Sequence, residues 1–341
     1  MRNIFEYYNN FEKYSKTKSI LLWGNPGLVK EPDVSILIPC FSHPDYLLTS
    51  LKSAIEQDYE GTYEIIISDN NDLDGAKNGN QVFVESINDK RVLYFRNERN
   101  IGMLGNWNRL VELARAPFVV YLHDDDFLLS NCLTTLMSIQ KKYNADGVNA
   151  YYCEADKNGK ITKKVEFIKT KKFGLKTSWV AEKSTSFDLF MGRKGGFGCG
   201  CLFRKQCLKD IGGFSEDFYP SADYALNAVM ATKYDVYFSH VPTFVYRIAE
   251  NESLSVFHKF KDVYKHFREC LRDYIKIPNW ILNRIILAQY RHSDLFFRVL
   301  WGKEPKEILK QDKFADKFIL WFINKIIRFI AIFNHNFKYK E

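Results

Sequence analysis

The sequence lacks the segments that mark exported or membrane-spanning proteins. Its first twenty residues mix charges with aromatic side chains and contain no apolar core of a signal peptide. No uncharged apolar run reaches the length of about 18 residues that a spanning helix requires. We therefore expect a protein that is neither secreted by that route nor inserted across a membrane.

Paired cysteines and nucleic-acid-binding motifs are also missing. The seven cysteines are scattered without CxxC spacing, which predicts neither a zinc site nor a disulfide framework and favours a reducing cytoplasm. No zinc-finger or RNP-like motif accompanies the net charge of +8, so nucleic acid is not expected as a partner. The charge still favours contact with anionic lipid headgroups or phosphorylated small molecules.

The sequence does contain an alternation of apolar runs and amphipathic segments. Continuous apolar runs are typical of strands that are covered on both faces of a parallel sheet, and helical spacing follows the first run from Pro44 onward. This order predicts an α/β fold built from βαβ units. The four runs are Val34–Phe41, Tyr63–Asp69, Arg91–Asn97 and Pro117–Asp126.

Polar residues follow these runs where the predicted strands end. Pro39 and Phe41 end the first run, Asp69 and Asn70 the second, and the triplet Asp124–Asp126 the fourth. Ligands of open α/β sheets bind outside the carboxyl ends of the strands, so we expect these groups to converge on one rim. A solvated acidic loop is the alternative for the triplet, and the convergence makes it the weaker one.

Two later features point to a site and to a surface. Asp223 lies in the first turn of a predicted helix that Ser221 would cap, where a carboxylate also has a purely structural use against the helix dipole. From about Phe257 the pattern is wholly helical, and the broadly apolar stretch Phe318–Phe333 is flanked by lysines. Core burial and binding in a membrane interface both remain open for that stretch.

The acidic residues are of the type that binds a divalent metal and a nucleotide. Adjacent carboxylates suit a hard cation such as Mg2+ or Mn2+, which prefers oxygen ligands together with substrate phosphates. A lone carboxylate elsewhere in the cleft, for which Asp223 is the candidate, would accept a proton from an attacking hydroxyl.

Four segments in this order resemble the inverting glycosyltransferases of family 2, which have the GT-A fold. The resemblance extends from about Asp33 to Ser255 and implies a Rossmann-like mixed sheet flanked by helices. It implies transfer of a sugar from a nucleotide-diphosphate donor, with UDP as our choice, to an acceptor hydroxyl. The segments are VSILIPCFSHPDYLLTSLKSAIEQDY, EIIISDNNDLD, RNIGMLGNWNRLVELARAPFVVYLHDDD and GGFSEDFYPSADYAL.

The resemblance assigns roles in the donor site residue by residue. Pro39 and Phe41 would border the base, with Phe41 where the family usually has Tyr. Asp69 matches the first acidic residue of the base-binding strand end, and Asn70 stands in place of the usual second Asp. Asn108 matches the Asn before the metal strand, as a structural or donor-loop contact.

The resemblance also divides the acidic triplet. Asp124 is expected near the ribose or phosphate and as a further metal ligand, and Asp125 is expected to bind the metal. Asp126 matches a following acidic position and is the weakest of the three candidates for a metal ligand. His123 occupies the position where the family's DxD motif often begins with Asp, and metal ligation, a loop hydrogen bond or no role remain open for it, with a structural role favoured. Asp223 matches the catalytic base, although Ala222 replaces the acidic residue that usually precedes it.

Other parts of the chain receive broader expectations. Arg247 would meet phosphate or pair with a nearby acid, both being open. We expect an N-terminal extension over residues 1–30, a GT-A catalytic domain over 31–255 and a helical region over 256–341, for which membrane association and packing on the core are both open. The expected acceptor is a glycan or lipid-linked glycan of a bacterial surface polysaccharide or glycolipid, and the expected location is cytoplasmic, peripheral at the inner face of the cell membrane.

Two other function classes remain as alternatives. A sugar-phosphate nucleotidyltransferase would carry a Gly-rich, Arg-containing loop after the first strand, where this chain reads CFSHPD. A membrane-associated sugar-nucleotide-binding protein without catalysis would lose the base, whereas this chain retains Asp223.

Overall fold

A computed structural model describes most of the chain, namely residues 1–42, 44–165, 170–172, 175–177, 180–196, 198–249, 253–300, 304–311 and 316–323. The strands of this described part are β1 (Ser19–Trp23), β2 (Val34–Cys40), β3 (Tyr63–Asp69), β4 (Val92–Asn97), β5 (Phe118–Tyr121), β6 (Phe127–Leu128), β7 (Gly147–Ala155), β8 (Ile161–Lys163), β9 (Thr170–Lys172), β10 (Leu175–Thr177), β11 (Ala181–Lys183), β12 (Leu202–Arg204) and β13 (Val236–Arg247).

The helices alternate with the strands in the first half and follow one another at the end. The α-helices are α1 (Pro44–Ile55), α2 (Gly79–Ile87), α3 (Met103–Leu113), α4 (Cys132–Tyr143), α5 (Ser186–Phe190), α6 (Lys205–Asp210), α7 (Ala222–Lys233), α8 (Ser253–Leu271) and α9 (Asn279–Leu300). Residues 316–323 are also helical. Short 3-10 helices cover Glu12–Tyr14, Pro26–Leu28, Glu216–Phe218, Arg272–Tyr274 and Lys306–Gln311.

The central sheet of the described residues is mixed and has eleven strands. Its order is β1-β4-β3-β2-β5-β12-β7-β13-β11, with β6 paired to β13 and β8 to β7. β2 runs parallel to both β3 and β5, and β3 runs parallel to β4. β12 is antiparallel to β5 and to β7. The predicted α/β mixed sheet is therefore confirmed.

The apolar runs form central strands because both of their faces are covered. Every residue of β2, β3 and β5 is buried, and alternate side chains of these strands join one core cluster with residues of α1 and α4. Burial of this kind stabilises a strand by roughly 1.5–3 kcal/mol for each large aliphatic side chain. The predicted strand ends at Asp69 and Asn97 are those of the structure.

The chain divides into two compact units. One consists of residues 2–217 and 222–249 and contains the sheet, and the other consists of Met1, residues 218–221 and residues 250–341. Within the second unit α8 and α9 pack on each other, and Asp316 is buried with both carboxylate oxygens bonded to Arg291. The last ten residues of the predicted stretch Phe318–Phe333 lie outside the described residues. Within the described part of the chain, no helix is long and apolar enough to cross a membrane.

Candidate functional site

The carboxyl ends of three parallel strands bring the predicted polar residues to one rim of the sheet. β2 is aligned with β3 so that Cys40 lies opposite Asp69, and with β5 so that Leu37 lies opposite Tyr121. The residues that follow β2 and β5 then meet, since the backbone N–H of Phe41 donates to Oδ2 of Asp124 at 3.3 Å. The site is therefore assembled from segments that are more than eighty residues apart in sequence.

The acidic triplet separates into two partly exposed carboxylates and one buried carboxylate. Asp124 and Asp125 are partly exposed, whereas Asp126 is fully buried. Oδ1 of Asp126 accepts from the backbone N–H of Arg247 at 2.9 Å. The hydroxyl of Ser50 donates to the backbone carbonyls of Asp124 and Asp126, at 2.8 and 2.5 Å. Asp126 thus fixes the turn, while the other two carboxylates face the rim.

Burial and repulsion by a neighbouring carboxylate raise the pKa of each of the two partly exposed carboxyls. Burial, followed by the charge of Asp125, raises the pKa of Asp124 to about 7. Burial, followed by the charge of Asp126, raises the pKa of Asp125 to about 6. Two carboxylates that are costly to ionise together form a donor set for a hard divalent cation, because its charge removes the repulsion. The residues present therefore fit a metal at Asp124 and Asp125.

His123 lies between an aromatic ring and the buried carboxylate. Its ring stacks on Trp107 with centroids 5.0 Å apart, and Nδ1 lies 3.5 Å from Oδ2 of Asp126. Burial acts to lower the pKa of His123, but hydrogen bonding to Asp126 and the charges of the triplet outweigh it, so the pKa is raised. Of the roles left open by the sequence, the geometry supports the structural one.

A second group of potential metal ligands lies behind the rim. His123, Asp126 and Cys199 each offer one ligand atom, and these atoms lie within 4.8 Å of one another. Its nitrogen and sulfur ligands suit zinc better than Mn2+ or Mg2+. Asp126 and Cys199 are buried, so a diphosphate would not reach a cation held there. The group therefore does not replace Asp124 and Asp125 as the candidate donor site.

Asp69 organises the loop that follows β3 rather than facing open space. It is fully buried, and its Oδ2 accepts from the hydroxyl of Tyr94 at 2.5 Å and from the side-chain amides of Asn78 and Asn80 at 2.8 and 3.1 Å. Its Oδ1 accepts from the backbone and side chain of Asn71, at 2.9 and 2.6 Å. A base contact predicted for Asp69 would have to replace one of these bonds. Sequence reasoning missed Asn78 and Asn80, although four asparagines follow Asp69 within eleven residues of the chain.

The side chain of Asn70 also forms hydrogen bonds within the protein. Its side-chain amide donates to Oδ1 of Asn100 at 2.8 Å, and its carbonyl oxygen accepts from the side chain of Asn97 and the backbone of Ile101, at 3.1 and 3.0 Å. These bonds tie the end of β3 to the loop before α3. They favour a supporting role for Asn70 over direct contact with the donor.

Asn108 joins α3 to a distant loop. Its side chain donates to the carbonyl of Phe214 and accepts from the N–H of the same residue, both at 2.8 Å. The preceding residue is Gly213, whose φ of +75° and close approach to Asn108, 2.5 Å from an added Cβ, exclude a side chain. Of the two roles the resemblance allows for Asn108, this geometry is that of the structural contact.

The remaining predicted donor contacts differ in their exposure. Phe41 is 48% exposed and offers an aromatic face, whereas Pro39 is buried within β2. Arg247 is buried with its guanidinium carbon 4.7 Å from the ring centroid of Tyr46 and 5.8 Å from that of Phe127. This stacking places the guanidinium of Arg247 against the rings of Tyr46 and Phe127, and the phosphate contact stays a prediction.

Asp223 lies in the first turn of α7 and is partly exposed. One turn later, the side chain of Asn227 donates to the carbonyls of Asp223 and Gly196, at 2.9 and 3.1 Å. A Cβ added to Gly198 would lie 3.7 Å from Nε2 of His123. The glycine-rich segment therefore connects α7 with the acidic turn. A Cβ added at Gly196 would lie 2.5 Å from Oδ1 of Asn149, and one added at Gly200 would overlap the ring of Phe244, which accounts for these two glycines.

A cavity of about 360 Å³ opens at the ends of β2, β3 and β4. Most of its lining side chains are carboxylates and amides, and several belong to the loop that Asp69 binds. The lining residues are Ser42, Pro44, Asn71, Asp72, Asp74, Asn78, Gly79, Asn80 and Arg96.

Comparison with known proteins decides the family. The model of glycosyl transferase family 2 matches residues 35–212. A Campylobacter jejuni protein named GalNAc(5)-diNAcBac-PP-undecaprenol beta-1,3-glucosyltransferase is 31% identical over 227 residues, which cover 66% of this chain and 68% of the relative. The chain belongs to glycosyltransferase family 2. A member of this family moves a sugar from a nucleotide-diphosphate donor to an acceptor hydroxyl with inversion, so the predicted reaction is confirmed.

Two further matches agree with this assignment. The Escherichia coli protein named UDP-Glc:alpha-D-GlcNAc-diphosphoundecaprenol beta-1,3-glucosyltransferase WfgD is 23% identical over 271 residues, covering 76% of this glycosyltransferase and 95% of WfgD. The solved structure of Staphylococcus aureus TarS 1-349 in complex with UDP-GlcNAc superposes with a TM-score of 0.56 at 16% identity, covering 84% of this chain and 81% of TarS. At that identity the likeness concerns the fold, and it confirms the predicted GT-A architecture. The nucleotidyltransferase alternative finds no support.

Proposed function

We propose that this glycosyltransferase transfers a hexose from a UDP-sugar to a hydroxyl of a saccharide linked to a polyprenyl diphosphate, in the assembly of a bacterial surface glycan. The names of two relatives support the acceptor class, since both contain undecaprenol linked through a diphosphate, and the name of WfgD contains UDP-Glc. The observation that carries the proposal is the pair Asp124 and Asp125, partly exposed at the rim and raised in pKa.

We assign metal binding to Asp125, with Asp124 as a second oxygen ligand or a contact to the ribose. Mn2+ or Mg2+ bound there would neutralise charge that develops on the departing diphosphate. Asp126 is assigned to holding the turn, because its carboxylate is buried and bonded to the backbone of Arg247. Phe41 follows β2 directly, its side chain is exposed, and its backbone N–H donates to Asp124 of the acidic turn. We propose that its ring contacts the base or the ribose of the donor.

We assign the proton transfer to Asp223. Its partly exposed carboxylate accepts the proton of the acceptor hydroxyl as that oxygen bonds to the anomeric carbon. The bond between this carbon and the diphosphate oxygen breaks on the opposite face, and the configuration inverts. The backbone of Asp223 is held by Asn227, so the carboxylate is presented from a fixed first turn of α7.

Affinity for Mn2+ should depend steeply on pH. The pKa values of Asp124 and Asp125 are raised to about 7 and about 6, so protons compete with the metal below neutral pH. We expect the dissociation constant to rise at least about tenfold between pH 8 and pH 6 and to change little above pH 8. Calorimetric titration of the metal-free protein with Mn2+ measures this.

The variant Asp124→Asn provides the control for that titration. It removes the group of higher pKa and should flatten the dependence between pH 8 and pH 7. An affinity that stays constant from pH 8 to pH 6 in the unaltered protein would contradict the assignment of the metal to these carboxylates.

The reaction itself is tested with a panel of donors and acceptors. UDP-glucose, UDP-N-acetylglucosamine, UDP-galactose and GDP-mannose are each incubated with a polyprenyl diphosphate-linked saccharide and with the same saccharide free in solution, and products are detected by mass spectrometry. We expect transfer from a UDP-sugar to the lipid-linked saccharide. Use of GDP-mannose alone would overturn the proposed donor, and equal use of the free saccharide would overturn the proposed acceptor.

We further propose that the helical unit binds the membrane surface peripherally. Its exposed aromatic residues include Trp280, which is 75% exposed, and Phe318, Trp321 and Phe322 on the helix at 316–323. Exposed aromatic side chains beside lysines are typical of helices that lie in the membrane interface. A lipid-linked acceptor would place the reaction at the same surface.

Replacing Phe318 and Trp321 together by Ser should weaken binding to anionic vesicles by at least about tenfold, since burying one such side chain contributes roughly 1.5–3 kcal/mol. Vesicle sedimentation measures the bound fraction, and deletion of the residues after Lys313 should have the larger effect. Val82→Ser changes an exposed residue of the sheet-containing unit and serves as the control. Equal sedimentation of all four proteins would contradict membrane binding.

A further inference from the structure

Three side chains from two distant segments of the chain meet behind the acidic turn. A ring nitrogen of His123, a carboxylate oxygen of Asp126 and Sγ of Cys199 lie within 4.8 Å of one another. Asp126 and Cys199 are fully buried, and the side chain of His123 is 22% exposed. We call these three residues the inner group. None of them takes part in the sugar transfer proposed above.

The backbone holds Cys199 beside the turn. Cys199 forms a parallel bridge with Tyr121, the last residue of β5, and the N–H of Gly200 donates to the carbonyl of Tyr121 at 2.8 Å. The carbonyl of Gly200 in turn accepts from the hydroxyl of Thr243 at 2.8 Å. The thiol of the inner group is therefore carried by an anchored segment of the sheet.

Two polar atoms of the inner group are buried without a hydrogen-bond partner among the described residues. They are Nε2 of His123 and Oδ2 of Asp126. Most buried polar atoms in proteins are satisfied, and a buried carboxylate oxygen without a partner is costly. Nδ1 of His123 lies 3.5 Å from Oδ2, which is longer than the roughly 2.7–2.9 Å of a charge-assisted hydrogen bond. An ion pair between the two residues therefore does not account for both atoms.

The separations within the inner group suit the ligands of one tetrahedral cation. Zinc bonds of about 2.0–2.3 Å place neighbouring ligand atoms about 3.3–3.6 Å apart. The 3.5 Å between His123 and Asp126 is of this size, and the upper limit of 4.8 Å for the group requires side-chain movements of only roughly 1 Å. A carboxylate and a metal-bound thiolate together neutralise a divalent cation, as a buried position requires.

We infer that His123, Asp126 and Cys199 bind Zn2+, at a second cation site distinct from the one assigned to Asp124 and Asp125. The nitrogen and sulfur ligands favour zinc over Mn2+ and Mg2+, and a water molecule completes the coordination. The cation links the acidic turn to the segment that carries Cys199, so His123 has its structural role as a ligand. No paired-cysteine motif marks this site in the sequence, because its ligands come from distant segments.

Cobalt(II) reports on such a site, since it replaces zinc and absorbs in the near ultraviolet when a thiolate is bound to it. The full chain, freed of metal and kept reduced, is titrated with Co2+, and Zn2+ is then added in competition. We expect a thiolate-to-cobalt band, its loss when Zn2+ is added, and a dissociation constant for Zn2+ of about 10 μM or lower. Excess Zn2+ should also raise the midpoint of thermal unfolding by about 5 °C.

Three variants distinguish the inner group from the carboxylates at the rim. Cys199→Ser should lose the band and should bind Zn2+ at least about a hundredfold more weakly. Asp125→Asn removes the carboxylate assigned to Mn2+ and should keep both the band and the affinity for Zn2+. Cys207→Ser makes the same chemical change as Cys199→Ser at another buried cysteine, on α6, and should also keep both.

The inference fails if the unaltered protein gives no thiolate band or binds Zn2+ more weakly than stated, and these results do not depend on the folding of any variant. A band that persists in Cys199→Ser would assign the thiolate to another cysteine. Loss of the band in Asp125→Asn would place the cation at the rim, and its loss in Cys207→Ser would place it at α6. Each of these three results would also overturn the inference. The proposed sugar transfer stands in every case, because Zn2+ has no part in it.

Discussion

Replacing Asp223 by Asn should reduce the rate of sugar transfer by about a thousandfold, within the range that general-base catalysis typically contributes. The amide keeps the shape of the side chain and the hydrogen bond from Asn227 to the backbone, but it does not accept a proton from the acceptor hydroxyl. Because the base acts on the acceptor, affinity for UDP should be unchanged. Steady-state rates and calorimetric binding of UDP measure the two quantities separately.

Asp210→Asn is the matched control, since it makes the same chemical change at an exposed residue at the end of α6. Its transfer rate should equal that of the unaltered enzyme. Asp223 is not the base if Asp223→Asn retains a tenth or more of the transfer rate, or if its affinity for UDP falls by the same factor as the rate. In either case the carboxylate only stabilises the first turn of the helix.

Replacing Asp125 by Asn should lower transfer by about a hundredfold or more, because the change removes the carboxylate assigned to the metal that stabilises the leaving diphosphate. The stability of the fold should not decrease. The charges of Asp126 and Asp125 oppose each other, so at pH 8 the metal-free variant should unfold at a temperature no lower than that of the unaltered protein. Transfer assays at increasing Mn2+ concentration, together with thermal unfolding, measure both effects.

The neighbouring change Asp126→Asn separates the two roles. Asp126 is fully buried and bonded to the backbone of Arg247, so its replacement should lower stability by about 1–3 kcal/mol. Its dependence on Mn2+ should remain. If instead Asp125→Asn unfolds early and Asp126→Asn loses the response to Mn2+, the division of the triplet is reversed.

The strands were predictable because burial on both faces leaves a strong mark on a sequence. Val34–Cys40 and Tyr63–Asp69 are almost purely apolar, and their lengths and order suffice for a parallel arrangement. The GT-A assignment was correct for this reason and because the segments stand in the family's order. The sequence predicted that the acidic triplet ends the fourth strand, whereas β5 ends at Tyr121 and the triplet lies in the turn that follows it.

The roles of single side chains were less predictable, because hydrogen bonds between distant segments decide them. Asp126 differs from Asp125 through the backbone of Arg247, more than a hundred residues away. The carboxylate of Asp69 is not free to bind a ligand, because it already accepts hydrogen bonds from Tyr94 and from asparagines of the following loop. A strand-end pattern indicates that a carboxylate is present at the rim, but it does not indicate which donors have already occupied its oxygens.

The turn that carries the triplet is anchored on both sides, by β5 in the middle of the sheet and by the pairing of β6 with β13. The bonds of Ser50 and Asp126 join these anchors to α1 and to the end of β13. The cost of ordering such a turn is met when the protein folds and not when the donor binds. Under the proposed assignment of the metal, the nucleotide and the cation would leave after each transfer, and the next pair would bind to carboxylates whose positions have not changed.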